Sequence, residues 1–138
     1  MVRNSLIGAL LLCGFGCAPE ASVNLTRGDT GYTVVFKNCS HPKQVLPLKS
    51  LRIRVAGSDK EDPPWCDFGI ADVHQIESDV TWSWRYGEAV PGYAMEGCAP
   101  LEPHTTYELH AMVANKTVSA VVRMDASGSP QRIRGGCQ

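Results

Sequence analysis

The chain has no block of like charge, no long apolar run and little aromatic content, and these absences narrow what it can be. Its 13 Lys+Arg against 14 Asp+Glu leave a formal charge of −1. A chain so balanced is not built, as a whole, to coat nucleic acid or an anionic bilayer, which demand a basic excess. Aromatic residues make up 7%, but hydrophobic residues reach 43% and charged ones only 20%. That composition excludes a disordered chain and a polytopic membrane protein. The apolar run from Leu6 to Phe15 is too short to cross about 30 Å of hydrocarbon as a helix, which needs about 20 residues. Also missing are a His-Glu-x-x-His pair, a Cys-x-x-Cys pair, a Gly-x-Ser-x-Gly elbow and a glycine-rich phosphate cradle. Past the leader, no stretch of a dozen residues carries a helical period.

What the chain does hold is six Cys, nine Pro and 13 Gly in 138 residues. That mixture suits one loop-rich, exported domain in an oxidising compartment. Met1 to Asn4 is a short start with one positive charge at Arg3, followed by apolar residues and then by small ones. This is the anatomy of a secretory signal peptide, read as residues 1–16. Its end, Gly14-Phe15-Gly16-Cys17-Ala18, resembles a bacterial lipobox, with Gly16 before the acceptor and Cys17 as the residue that receives lipid. Gly14 stands where that motif usually carries Leu. The resemblance implies an outer-membrane lipoprotein of the bacterial envelope, since Ala18 replaces the Asp of the inner-membrane pattern. An acylated Cys17 would carry several chains and hold firmly. A secreted protein cut after Ala18 or Ala21 is the rival reading.

Residues 17–30 read as a polar tether and 31–138 as the domain. Period-two alternation dominates there and predicts strands over Tyr32–Lys37, Leu51–Val55, Val80–Tyr86, Tyr107–Val113 and Val118–Met124. The short link at Asn115-Lys116 makes a hairpin of the last two. The expected fold is an all-β antiparallel sandwich. Cys39, Cys66, Cys98 and Cys137 form an even set for two disulfides, and three connectivities are open.

Leu101, Pro103, Thr105 and Tyr107, continued by Leu109 and Ala111, resemble the approach to the F strand of fibronectin type III and related immunoglobulin-like domains. The resemblance spans about 25 residues and implies a corner in which the Tyr107 hydroxyl bonds backbone a few residues upstream. Under the strand order it implies, with Arg132-Ile133-Arg134 as a returning edge strand, the expected pairs are Cys39–Cys98 and Cys66–Cys137.

Candidates for chemistry are few. Cys39-Ser40-His41 could hold copper or zinc only with Cys39 reduced, and His104 and His110 make no set. Met95, Met112 and Met124 read as packing residues. Asp59, Glu61, Asp62, Asp67 and Asp72 surround Trp65 without the order of a calcium loop. Trp82, Trp84 and Tyr86 alternate on one predicted strand. They read as core or, if exposed, as an aromatic platform for carbohydrate or peptide. Asn24, Asn38 and Asn115 head glycosylation-type triplets. The expectation is a non-catalytic binding or structural module with no cofactor and no metal. It is held to the membrane through Cys17 and faces another envelope protein or a polysaccharide, with no nucleic acid. A secreted adhesion-type domain, or a small secreted hydrolase or metal-binding protein, are the alternatives.

Overall fold

The computed structural model describes residues 20–137. The leader at 1–16, Cys13 and the acceptor Cys17 lie outside them. Nine strands and no helix occur among the described residues: β1 (Ala21–Gly28), β2 (Gly31–Asn38), β3 (Leu48–Val55), β4 (Cys66–Ile70), β5 (Ser83–Arg85), β6 (Tyr93–Gly97), β7 (Thr106–Val113), β8 (Lys116–Met124) and β9 (Pro130–Arg134). They form two antiparallel sheets, one ordered β1-β2-β5 and the other β6-β4-β3-β7-β8-β9. Both bury one face in a shared core.

The alternation that predicted the strands also decides which face goes inward. In β7, Tyr107, Leu109, Ala111 and Val113 are buried; in β8, Val118, Ala120, Val122 and Met124 are. The two strands pair in unbroken register from Val113↔Lys116 to Thr106↔Arg123, closed by a two-residue turn at Ala114-Asn115. In β3 a register irregularity between Leu48 and Ser50 lets Leu48 and Leu51, three positions apart, both point inward. The small sheet contributes Val23, Leu25, Val34 and Phe36 from the opposite side.

Three expectations change. The stretch read as a tether contains β1, which pairs with β2 along its whole length and buries Ala21, Val23 and Leu25. The domain therefore begins ahead of Gly31. Second, the aromatic strand expected over Val80–Tyr86 is only Ser83–Arg85. Trp82 sits at φ 66, in the left-handed region, and interrupts the alternation.

Third, all four cysteines are in disulfides, but the pairs are Cys39–Cys137 and Cys66–Cys98, with Cα–Cα distances of 5.4 and 4.1 Å. The expected Cys39–Cys98 and Cys66–Cys137 are not formed. The reason is topological. β2 ends where β3 starts, and β7 starts where β3 ends, so the approach to β7 lies at the end away from Cys39. The intervening β6 sets Gly97 opposite Cys66 on β4 and carries Cys98 to its partner. Gly97 has φ 74, and a Cβ there would lie 2.7 Å from the Trp65 carbonyl oxygen, so the crossing takes no side chain. β9 does run back along β8 as expected, and delivers Cys137 to the end that holds Cys39.

Candidate functional site

The aromatic residues singled out in the sequence do not share a surface. Trp84 is buried and stacks on Phe68 with centroids 4.1 Å apart, and Phe68 stacks in turn on Tyr93 at 5.0 Å. Its indole Nε1 donates to the Glu88 carbonyl at 2.9 Å, which removes the cost of a buried, unbonded N–H. Tyr86 is half-buried, meets Trp84 edge-on at 5.8 Å and donates its hydroxyl to the Ala99 carbonyl. That same carbonyl accepts the Trp65 Nε1 at 3.0 Å. Two aromatic side chains thus tie down the residue next to Cys98. Burial holds the Tyr86 phenol far above its ordinary range, against a hydrogen bond with Trp65 that lowers it. Trp82 alone is left exposed, at 40% of its area.

The turn at Trp82 explains the split. The Trp82 carbonyl accepts the Phe36 amide at 2.7 Å, and the Ser83 amide bonds the Thr81 carbonyl at 2.6 Å. The backbone therefore turns once before the strand begins, and the Trp82 indole is left partly exposed.

The resemblance to the immunoglobulin-like corner predicts one contact that the structure contains. The Tyr107 hydroxyl accepts the Glu102 amide at 2.9 Å, while the ring is fully buried against the edge of Trp65. His104, just before β7, sits at φ 58. The other expected positions scatter. Asn38 is buried, accepts the Ser40 and His41 amides and donates to Gln44, so its amide is fully engaged in the Cys39 turn. Asn115 is exposed at the β7–β8 turn. In the acidic stretch the Arg54 guanidinium bonds the carbonyls of Asp59, Lys60 and Asp62, so that loop is gathered around a cation of the chain itself. Among the described residues, no three His, Cys, Asp or Glu side chains converge to hold a metal ion.

The outward face of the six-stranded sheet is a further surface, which the sequence did not single out. Two rows cross it in register. One is Glu96, Asp67, Arg52, His110 and Ser119; the other is Ala94, Gly69, Ser50, Met112 and Thr117. Arg52 and Asp67 pair at 3.2 Å, and His110 lies 3.6 Å from Glu108. The second row is nearly free of bulk, and over it lies a depression of about 220 Å³ lined by Ser50, Arg52, Asp67, His110 and Met112. A larger groove, about 460 Å³, runs between Glu20, the β7–β8 turn and Gly135-Gly136. The face is mixed in charge, and on it Ser119 stands across from His110, with no hydrogen bond between them. A signal for it existed in the sequence as the polar half of each alternating strand, but only the register brings those halves into rows.

Comparison with family models, with curated proteins and with solved structures returns no match.

Proposed function

We propose that the chain is a lipid-anchored bacterial envelope protein, joined through Cys17 to the outer membrane. In this reading its immunoglobulin-like, fibronectin type III-like sandwich acts as a non-catalytic binding or structural module. The observation that carries the reading is the lipobox-like Gly16-Cys17, followed after only Ala18-Pro19-Glu20 by the first strand of an exported, disulfide-bonded sandwich. The strand order supports the family assignment. β1-β2-β5 facing β4-β3-β7-β8 corresponds to the A-B-E and C′-C-F-G sheets of such domains, with β6 and β9 added at the two edges. The Tyr107–Glu102 bond at the start of β7 supports it as well. A module of this kind works by surface, and the outward face of the large sheet is open to an envelope protein or a polysaccharide. Labelled palmitate should enter the wild-type chain and be lost in Cys17→Ser. Label that persists in the variant removes the anchor from the reading.

A further inference from the structure

The six-stranded sheet ends in two short strands that complement one another. β6 lies at one edge and β9 at the other, and no further strand pairs with either among the described residues. β6 reads Tyr93-Ala94-Met95-Glu96-Gly97 and carries one charge, the acid Glu96. β9 reads Pro130-Gln131-Arg132-Ile133-Arg134 and carries two, both basic. None of the three charged residues is in an ion pair among the described residues. Each edge also shows solvent one large apolar side chain, Met95 at 38% and Ile133 at 55% of its area.

The backbone is open on both sides. The Ala71 amide bonds the Gly92 carbonyl at 2.9 Å, and the Cys98 amide bonds the Trp65 carbonyl at 2.8 Å. In the β4–β6 register these bonds turn the peptide groups of Ala94 and Glu96 toward β4, and leave the N–H and C=O of Met95 directed away from it. On the other side the Met124 amide bonds the Thr105 carbonyl at 2.8 Å, which turns Val121 and Arg123 toward β9. Gln131, opposite Arg123, faces β8 in return, so Arg132 directs its N–H and C=O outward. Direction matches as well. Every neighbouring pair in the sheet is antiparallel and the strands number six, so β6 and β9 run in opposite directions. A second copy that continues the twisted sheet therefore sets its β6 beside β9 of the first as one more antiparallel pair.

We propose that copies of this chain join head to tail, β6 of one pairing with β9 of the next, with Glu96 set against Arg132 and Arg134 and with Met95 and Ile133 covered at the junction. Like-to-like pairing is opposed, because β9 on β9 would place arginine against arginine. Pro130 and the irregularity between Val121 and Val122 shorten the ladder that β9 can offer. The contact is therefore small, with a dissociation constant on the order of 0.1–1 mM in free solution. It uses different patches on the two copies, so it does not close on a dimer but extends into an open chain. The outward sheet face takes no part in it and is presented side by side by successive copies. The proposal stands apart from the anchoring reading, although an anchor shared by many copies would concentrate them and favour it.

The test is sedimentation equilibrium of the oxidised Cys17→Ser chain, which keeps acyl chains out of the measurement. Its weight-average mass should rise with concentration past twice the monomer value. Glu96→Lys alone, and Arg132→Glu/Arg134→Glu alone, should each stay monomeric. An equimolar mixture of the two should associate as the parent does, because lysine meets glutamate at one junction and glutamate meets arginine at the next. Amide exchange needs no further variant: Met95 and Arg132 should slow several-fold in the associated sample, while β5, the edge of the small sheet, should not change. A parent chain that is still monomeric at about 1 mM overturns the proposal. So does association that survives Glu96→Lys, which places the contact elsewhere. Association without slowed exchange at Met95 and Arg132 overturns it too, since no strand has then been added.

Discussion

Trp82 and Trp84 stand two positions apart, yet they occupy opposite environments. Trp84 sits between Phe68 and Tyr86, with its nitrogen bonded to Glu88. Trp82 is held outward by a left-handed backbone. Truncating Trp84 to Ala leaves a large void and should cost about 3–5 kcal/mol. Trp82→Ala removes a ring that is 40% exposed and should cost clearly less than the Trp84 truncation, about 1–2 kcal/mol. Urea unfolding followed by circular dichroism separates the two; equal losses would mean that Trp82 packs where the structure places it in solvent. Alternation marked both residues in the sequence. It could not mark the turn at Trp82, because the bond from the Phe36 amide that holds it comes from another strand.

Among the elements, the long strands other than β1 were legible, while the short β4 and β6 were not. β7 and β8 hold eight and nine residues of clean alternation, enough for the pattern to stand above chance. β4 and β6 have five residues each and contain Gly69 and Gly97, so their pattern ends before it is established. β1 does alternate, with Ala21, Val23 and Leu25 inward, but the polar residues between them give it the composition of a tether. The unseen β6 is what reassigned the disulfides. Non-reducing peptide mapping should recover Cys39 with Cys137 and Cys66 with Cys98. Replacing each pair by Ala should destabilise unequally. In the chain-entropy account the loss is about 5 kcal/mol for the Cys39–Cys137 loop and about 4 kcal/mol for Cys66–Cys98, because their separations are 98 and 32 residues. A larger loss for the shorter loop would show that packing by Trp65 and Tyr86 around Cys98, more than loop closure, sets its contribution.

At the scale of the whole molecule, three tyrosines hold neighbouring segments through their hydroxyls and give the fold an alkaline limit. Burial raises the phenols of Tyr86, Tyr93 and Tyr107 above their ordinary value. Tyr93 also donates to the Leu48 carbonyl at 2.8 Å, bridging β6 and β3. In the unfolded chain these groups ionise near about pH 10. A folded value raised above that contributes stability fully present below it, and lost as pH climbs toward the folded values. Phenolate absorbance from these three should therefore appear together with loss of sheet circular dichroism above about pH 10. Reversible ionisation of all three with the sheets intact would contradict their burial.

The sequence by itself determined the all-β character, the long strands and the four-cysteine set, and its spacing around Tyr107 pointed to the Tyr107–Glu102 bond. Each of these is local: alternation, turn chemistry and a short spacing are properties of neighbouring residues. The tertiary structure alone decided which cysteines meet, which of three aromatic residues reaches solvent, and which polar residues line up across the outward sheet. Those outcomes depend on strand order and register. Register is set by burying one face of every strand against a second sheet, a condition that no single segment carries.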